Sequence, residues 1–346
     1  MRKFALILTI GSLLASLLPL IPSPFWWIRV FDFTRLQVAV LIMASVVLLF
    51  RYRPPYWLWL IGLSTGAFFH QASFITDYTP LKRVQAKAGN VLTARSHFRL
   101  VVCNVRMENR ESTAFIDLMH QTQPDLILVN EPDAWWAEQL RPLHQIYPYR
   151  ILLPLPNTYG MALFSRLPLI TPNVRFLVEP DVPSFWTKVR LPSGEVFDLY
   201  CLHPRPPKPG TRSYERDAEL LVTGRHIRNA GRPAVVAGDM NDVGWSRTSR
   251  LFQRYSGLVD PRRGRGLYNT YSTYVPLFRY PLDHIFYSDD FGLLNLERLP
   301  EVGSDHFPML IDLSYEPRAE NTRNEPERRE GDTRRVREKI GKGRSE

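Results

Sequence analysis

The chain contains 346 residues and carries a formal net charge of +10, with 45% hydrophobic and 23% charged residues. The length suits one large domain or two small ones, and the composition excludes a chain that is disordered throughout. The excess of positive charge suggests an anionic partner.

The N-terminal part is predicted to be a membrane anchor. Three stretches contain no Asp, Glu, Lys or Arg: 4–27, 36–50 and 57–76. The first and third reach the ~17–25 residues that a helix needs to cross a bilayer core, and the second is somewhat short. We predict an anchor over residues 1–76, with three transmembrane helices at about 4–21, 36–50 and 56–75. A cleaved signal peptide for the first stretch and a buried core helix for the second are the alternatives.

Basic residues in the short loops predict the orientation of this anchor. Arg2 and Lys3 precede the first helix, and Arg51 and Arg53 lie between the second and third. Both places should be cytoplasmic by the positive-inside rule, although Arg29 and Arg35 in the first external loop weaken the bias. An odd number of crossings then predicts a multi-pass protein of the inner (cell) membrane, with its remaining domain in the periplasm or outside.

The remaining chain mixes strands and helices. Residues 77–95 are predicted to be a linker and residues 96–316 a catalytic domain. Predicted strands lie at 98–105, 124–130, 159–166, 185–203 (a pair joined by a turn), 233–239, 281–288 and 305–313, and predicted helices at 112–121, 134–140 and 213–231. The elements do not alternate strictly, which favours an α/β fold with mixed sheets over a doubly wound parallel sheet. Residues 317–346 are highly charged and predicted to be a disordered tail.

Both cysteines fall in predicted strands. Small apolar strand positions suit Cys103 and Cys201 as buried free thiols, and a disulfide is the alternative in an oxidising compartment.

A recurrent pattern carries the chemistry, because apolar strands end or begin in residues that bind metals or move protons. The residues concerned are Asn104, Glu131, His203, Asp239, Asn241, Asp283, Asp305 and His306. A sheet sandwich can collect such residues at one rim. Hard oxygen ligands such as Glu131, Asp239, Asn104 and Asp305 suit Mg²⁺ or Mn²⁺, and two histidines can serve as base and acid. The set fits hydrolysis of a phosphoester by water.

The stretch "GDMN" at residues 238–241 is predicted to aim two polar groups at one phosphorus atom. In an extended chain Asp239 and Asn241 point to the same side, and Met240 points back toward the core. An Asx-turn that only shapes the loop is the alternative. Asp242 is interpreted as a solvated turn residue, His284 as structural, and Arg205 as a possible contact to an anionic substrate.

In chain order, these motifs resemble the endonuclease/exonuclease/phosphatase superfamily. The matching stretches are "CN" with Asn104, "NE" with Glu131, "YGMALFSR", "LH" with His203, "GDMN", "LDHI" with Asp283 and "SDHFP" with Asp305 and His306. The resemblance covers roughly residues 97–315 and, with the apolar N-terminus, points to a bacterial membrane-anchored branch. It implies a four-layer sandwich in which two packed mixed β-sheets are flanked by helices.

The resemblance also implies residue roles. Glu131 would be the main metal ligand, with Asn104 nearby and Asp305 approaching the metal. His306 would be the general base, oriented by Asp283, while Asp239 would orient or deprotonate the attacking water. Which of the two takes the proton is left open. Asn241 and His203 would bind phosphoryl oxygens, with His203 as the candidate acid.

Three functions are compatible with the sequence. The leading prediction is a membrane-anchored, metal-dependent phosphoesterase or phosphodiesterase whose partners are the lipid bilayer and a lipid phosphate substrate. One alternative is a nuclease acting on DNA, which the excess of basic residues favours. The other is a non-catalytic scaffold, which would not need all of the metal-binding and proton-transferring residues at the strand ends. No obligate protein partner is evident.

Overall fold

The structure is a computed structural model that describes residues 1–90, 95–317 and 324–345. It divides into two compact units. The first comprises residues 1–83 with the short segments 207–213 and 263–266, and the second comprises the rest. Residues 91–94 of the predicted linker, and 318–323 and 346 of the predicted tail, lie outside the described residues.

The first unit is helical. Its helices are α1 (Arg2–Leu17), α2 (Trp26–Phe33), α3 (Arg35–Tyr52) and α4 (Trp57–Ile75). Three helical spans are long and apolar enough to cross a membrane: Arg2–Leu20, Arg35–Tyr52 and Trp57–Tyr78. They coincide with the three predicted segments to within a few residues. Helix α2, in what was predicted as a plain external loop, was not expected.

Arg29 and Arg35, which were predicted to lie in an external loop, are buried inside this unit. Arg35 is the first residue of α3 and is 2% exposed, with Nη2 3.0 Å from Asp32 Oδ1 and Nη1 donating to Gln71 Oε1 at 3.0 Å. Arg29 forms a second ion pair with Asp32 at 2.8 Å. Buried charges are tolerated when paired in this way, so these arginines join α2, α3 and α4 and do not mark a solvated loop.

The second unit contains two mixed sheets. Its strands are β1 (His97–Asn104), β2 (Leu126–Asn130), β3 (Tyr149–Leu153), β4 (Met161–Ser165), β5 (Leu169–Arg175), β6 (Ser184–Arg190), β7 (Val196–Cys201), β8 (Ala234–Asp239), β9 (Asp283–Tyr287), β10 (Phe291–Arg298) and β11 (Met309–Tyr315). One sheet has the order β10-β11-β1-β2-β4-β3 and the other β5-β6-β7-β8-β9. The pairs β1–β2 and β7–β8 are parallel, so their carboxyl ends lie side by side within each sheet.

Side-chain alternation builds the layers. Leu100 and Val102 of β1 pack into a core shared with Leu199 of the other sheet. Val101 and Cys103, on the opposite face, pack under helices α5 (Thr113–Thr122) and α6 (Ala134–Gln139), in a cluster with Phe115 and Trp136. The outer face of the second sheet is covered by α7 (Tyr214–Ala230) and α8 (Arg247–Ser256). The four-layer sandwich is therefore confirmed.

The C-terminal segment corrects the predicted disorder. Residues Asp332–Ser345 form helix α9, whose Val336 and Ile340 pack with the α7 and α8 side chains. Asp332 forms an ion pair with Arg254 of α8 at 2.9 Å, and Lys339 contacts Asp217 of α7 at 2.6 Å. Two apolar residues four positions apart are enough to give a charged helix one buried face.

The predicted linker also differs from the structure in part. Residues 84–90 belong to the second unit, where Gly89 N–H donates to Leu293 O at 2.8 Å and Ala86 is buried in the shared core. Cys103 and Cys201 are buried free thiols, as expected. Burial raises the pKa of both thiols, which keeps them protonated.

Candidate active site

Asn104 and Glu131 meet at the carboxyl ends of the parallel strands β1 and β2. Asn104 ends β1, and Glu131 directly follows β2. Asn104 Nδ2 donates to Glu131 Oε1 at 2.8 Å, and Asn104 Oδ1 accepts from the Arg106 N–H at 2.9 Å. Glu131 has a φ of +65°, so the chain turns there and does not extend the sheet. The turn leaves its carboxylate beside Asn104.

Asp239 joins this pair from the other sheet. It is the last residue of β8, and its Oδ2 accepts from Asn104 Nδ2 at 3.2 Å. The preceding Gly238 has a φ of +137°, and a Cβ there would lie 1.9 Å from the Leu202 carbonyl oxygen. Glycine is needed for both reasons. The close approach of β8 to Leu202 thus sets where Asp239 lies.

His203 follows β7 by two residues and faces the same carboxylates. Its Nε2 lies 3.7 Å from Asp239 Oδ2 and 3.9 Å from Glu131 Oε1. The side chain is 2% exposed, and its Nδ1 has no hydrogen-bond partner among the described residues. A buried imidazole nitrogen of this kind is available to a water molecule or substrate.

Asp283 and His306 form a tight pair on the far side of Asp239. Asp283 begins β9 and pairs in register with Asp239 of β8. His306 Nδ1 lies 2.7 Å from Asp283 Oδ2, and its Nε2 lies 3.6 Å from Asp239 Oδ2. The Asp283 carboxylate therefore accepts a hydrogen bond from His306 Nδ1–H, and this contact keeps Nε2 directed at Asp239. His306 lies in the loop before β11, not within a strand as predicted.

Excess negative charge dominates the electrostatics of this region. Burial lowers the pKa of His306, but the charges of Asp283, Asp239 and Asp305 outweigh that effect and raise the pKa to about 10. Ligand atoms of Asp239, Asp283 and His306 lie within 4.8 Å of one another. Carboxylates crowded in this way call for a cation, and oxygen donors suit a hard divalent one. The residues present fit a divalent metal.

The three predicted metal ligands are not equally placed. Asn104 and Glu131 are hydrogen-bonded to each other, whereas the one hydrogen bond of the Asp305 carboxylate within the described chain is from Ser304 Oγ at 3.4 Å. Asp305 is near enough to act on the pKa of His306 by its charge. Its role as a ligand stays a prediction.

The backbone conformation of Asn241 differs from the prediction, which assumed an extended chain from Asp239 to Asn241. Strand β8 ends at Asp239, and Asn241 has a left-handed φ of +49°. Its N–H donates to Asp239 Oδ1 at 2.9 Å, which is the Asx-turn that was the alternative. Its side-chain Nδ2 donates to the Pro204 carbonyl at 3.0 Å. Met240 is buried under α7 and α8, as predicted.

Sequence reasoning missed several supporting residues. Asn130 Oδ1 accepts from the Asp239 N–H at 3.3 Å and so links the two sheets beneath the site. Ser304 Oγ donates to the Asn104 carbonyl at 2.6 Å and accepts from the His306 N–H at 3.1 Å. Both lie directly beside predicted residues, in "NE" and "SDH", and that adjacency was the available signal.

A buried network lies behind the Asp239–Asn241 turn. Asp242 is 0% exposed, contacts Ser246 and Ser249, and lies 3.6 Å from Arg216 Nη1, so it is not a solvated turn residue. Arg216 donates to the Asn241 carbonyl at 2.8 Å. These contacts fix the backbone on which Asn241 is presented.

His284 is structural, as interpreted. Its Nε2 lies 2.7 Å from the Asp242 carbonyl, and its Nδ1 lies 2.6 Å from Arg262 Nη2. Burial first, and then the Arg262 charge, lower the pKa of His284 to about 3. The neutral ring thus donates from Nε2 and accepts at Nδ1.

Arg205 is less available to a substrate than expected. Its Nε donates to Glu179 Oε1 at 2.7 Å, and its Nη2 lies 3.1 Å from Asp181 Oδ2. The guanidinium also lies over the Tyr159 ring, whose centroid is 5.7 Å from that of His203. Two carboxylates balance the arginine, so it shapes the wall beside His203.

Comparison with protein families agrees with this arrangement. Residues 101–306 match the model of the Endonuclease/Exonuclease/phosphatase family, which is more than half of the chain. The chain belongs to the endonuclease/exonuclease/phosphatase family. This family comprises metal-dependent phosphoesterases and nucleases. In this member, the matched span contains every predicted site residue, from Asn104 to His306.

Solved structures share the fold of this family member. The human Nocturnin catalytic domain with bound sulfate is 18% identical, with a TM-score of 0.53 over 65% of this chain and 96% of that chain. A family member from Bacteroides vulgatus is 18% identical, with a TM-score of 0.51 over 64% and 99%. D. rerio TDP2 complexed with single strand DNA product is 17% identical, with a TM-score of 0.50 over 63% and 99%. No match was found among curated protein sequences.

Proposed function

We propose that this chain is a membrane-anchored, magnesium-dependent hydrolase of phosphoester bonds that acts on a lipid phosphate. The observation that carries the proposal is the surroundings of Asp239 Oδ2. This oxygen has Asn104 Nδ2 at 3.2 Å, His306 Nε2 at 3.6 Å and His203 Nε2 at 3.7 Å. A carboxylate oxygen flanked by two imidazoles can hold a water molecule beside a phosphoryl group that His203 binds, with His306 on the other side as a proton acceptor.

The cation would be held by Asn104, Glu131 and Asp305, whose oxygen donors suit Mg²⁺ or Mn²⁺. When bound, it supplies positive charge that stabilises the phosphoryl oxygens. Of these three residues, Asp305 is also one of the carboxylates whose charge raises the pKa of His306, which supports a cation on this side of the site.

The protein residues then act in sequence. Asp239 orients the water that attacks phosphorus, and the proton goes to the Asp239–His306 pair. Asp283 holds His306 in place through the 2.7 Å contact. As the bond from phosphorus to the leaving oxygen breaks, His203 donates a proton to that oxygen. Asn241, bonded to the Pro204 carbonyl, keeps His203 opposite Asp239.

The apolar helices support a substrate at the membrane. Three spans that could cross a bilayer, in the predicted orientation, would anchor the protein in the cell membrane and expose the catalytic domain on the periplasmic or outer side. A phosphatase reporter fused after residue 90 should then be active, and a silent reporter would reverse the orientation. Hydrolysis of DNA is the second candidate, because D. rerio TDP2, of similar fold, has been solved with a single-stranded DNA product.

A comparison of the specific activities on three separate substrates tests the proposal. The full chain in detergent micelles would be given plasmid DNA, a soluble aryl phosphodiester or a lipid phosphate, each with Mg²⁺, with Mn²⁺ and with EDTA. We expect metal-dependent cleavage of the lipid at the highest specific activity. Nicking of plasmid at far higher specific activity would replace the lipid with a nucleic acid. Cleavage that survives both EDTA and His306→Ala would refute the mechanism.

A further inference from the structure

An apolar loop projects from the second unit next to the active site. We define it as residues 274–278, sequence YVPLF. Its two ends are held together because the N–H groups of Thr270 and Tyr271, before the loop, both donate to the carbonyl of Tyr280, after it, at 3.0 Å. All five residues are exposed, and Leu277 is 67% exposed. Soluble domains rarely expose a continuous apolar segment without a use for it.

The base of the apolar loop is attached to the catalytic residues. Thr273 N–H donates to the Asp305 carbonyl at 2.9 Å, and Thr273 Oγ1 donates to the Ser304 carbonyl at 2.8 Å. The Tyr271 ring centroid lies 5.0 Å from that of His306. Whatever binds the loop is therefore brought to the opening of the site.

Two arginines beside the apolar loop lack acidic partners. Arg279 and Arg298 lie over the Phe307 ring, at 5.0 Å and 4.3 Å from its centroid. In the described part of the chain, both donate to backbone carbonyls and neither forms an ion pair. Burial first, and then the Arg279 charge, lower the pKa of Arg298. An anion that bound both guanidiniums would relieve this repulsion.

We propose that the apolar loop inserts into the interfacial region of a lipid bilayer while Arg279 and Arg298 bind anionic headgroup phosphates, so that the site receives the phosphoester of a membrane lipid. Leu277 and Phe278 then lie among the upper acyl chains, and Tyr274 lies at headgroup level, where aromatic rings are favoured. The delivery of substrate rests on the proposed function, but the contact with lipid does not.

The composition of the loop favours lipid over nucleic acid. Single-stranded nucleic acids are bound by aromatic platforms along a basic groove. Tyr274 and Phe278 are the two rings of the loop, and the Arg106 guanidinium already lies over Tyr274, 5.6 Å from its centroid. Between them Val275, Pro276 and Leu277 are aliphatic, and no charge occurs within the loop. Aliphatic residues flanked by an aromatic ring and by cations match a bilayer interface better.

Site-specific fluorescence tests the contact. Both native cysteines are buried, so an environment-sensitive fluorophore would attach to the new thiol in Leu277→Cys. The full chain would be reconstituted into phosphatidylcholine vesicles with and without phosphatidylglycerol. Tyr149→Cys is the control, since Tyr149 is 39% exposed and begins β3, at the end of the sheet away from the site.

We expect blue-shifted emission and several-fold stronger quenching by spin-labelled lipid at position 277 than at position 149. Phosphatidylglycerol should increase the quenching, and Arg279→Gln with Arg298→Gln should remove that increase. Equal quenching at both positions would overturn the proposal. Protection of position 277 by added single-stranded DNA, without lipid quenching, would also overturn it.

Hydrolysis gives a second, separate readout. Leu277→Ser with Phe278→Ser should lower the rate on a vesicle-borne lipid phosphate by ~10-fold or more and leave the rate on a soluble aryl phosphodiester unchanged, with an unchanged unfolding temperature. Equal effects on both substrates would contradict delivery of lipid by the loop. If the unmodified chain hydrolyses neither substrate, the proposed function fails, while lipid quenching at position 277 still decides the contact.

Discussion

Gly238→Ala tests whether the backbone before Asp239 sets the geometry of the site. Gly238 has a φ of +137°, and an added Cβ would lie 1.9 Å from the Leu202 carbonyl oxygen and 3.0 Å from the carbonyl carbon. The methyl group therefore meets backbone, which cannot rotate away as a flexible side chain would. The ends of β7 and β8 would have to separate, and Asp239 would move relative to His203.

The cost has two parts. Holding a non-glycine residue at such a φ costs of order 1–3 kcal/mol, and overpacking adds typically about 1–3 kcal/mol. Gly194 supplies the matched control, because its φ is +105° and an added Cβ meets nothing within 4 Å. Gly194→Ala should show the first cost alone. We expect a total of roughly 2–6 kcal/mol for Gly238→Ala, against about 1–3 kcal/mol for the control.

Thermal unfolding and hydrolysis together provide the assay. A domain of this size loses about 2–4 °C in unfolding temperature per kcal/mol, so Gly238→Ala should unfold roughly 10 °C below the unmodified chain. Even at temperatures where the variant is folded, its rate on an aryl phosphodiester should fall by ~100-fold. A displacement of Asp239 by about 1 Å is enough for a loss of that size. Equal unfolding temperatures and equal activities for the two variants would refute the reasoning.

Other predictions address separate parts of the account. Burial raises the pKa of Glu219 to about 8, so the folded state should lose stability as the pH rises from 4.5 to about 8. In Glu219→Gln the unfolding temperature should fall less across that range. Parallel pH profiles of the variant and the unmodified chain would contradict this prediction. Asp283→Asn should lower steady-state hydrolysis by about 10²–10⁴-fold with little change in unfolding temperature, because general acid–base catalysis contributes that much, and a loss under tenfold would argue against an orienting role. Asp332→Ala leaves Arg254 without its partner and should cost about 1–3 kcal/mol, with faster amide exchange in α9, whereas a disordered tail would show neither effect.

The central strands of the sandwich were predictable because they are buried on both faces. Strands β2 and β8 read as continuous apolar runs up to their last residues, and β1 becomes continuously buried from Leu100 onward. The strands that escaped prediction, β3, β5 and β10, are all edge strands; β3 and β5 are largely exposed, and β10 is buried only in its first three residues. An edge strand with solvent-facing residues carries a weak sequence pattern. The edge strand β9 is buried throughout and was predicted.

Besides α2, helices α8 and α9 were not predicted from the sequence. Helix α8 does carry signals, with Ser246 capping its N-terminus and Gly257 in a left-handed conformation after its end. Helix α9 buries only a narrow stripe around Val336 and Ile340, and its charge concealed that stripe. The pairing of Asp332 with Arg254 joins distant parts of the chain, and a local pattern does not reveal it.

In the site, chemistry was more predictable than conformation. The residue types identified Asn104, Glu131, His203, Asp239, Asp283 and His306, which the structure brings together. The conformation of Asn241 was not predictable, because its positive φ depends on Arg216 and the Pro204 carbonyl, which are distant in sequence. Asp242 likewise looked solvated until α7 and α8 covered it.

The most direct test of the central claim is the rate at which the full chain hydrolyses an aryl phosphodiester in Mg²⁺, before and after EDTA, compared with Asp239→Asn. The account predicts hydrolysis that EDTA abolishes and Mg²⁺ or Mn²⁺ restores, and a loss of ~1,000-fold or more in the variant, because Asp239 lies between both histidines and Asn104. Hydrolysis that persists in EDTA, or a variant as active as the unmodified chain, would contradict it.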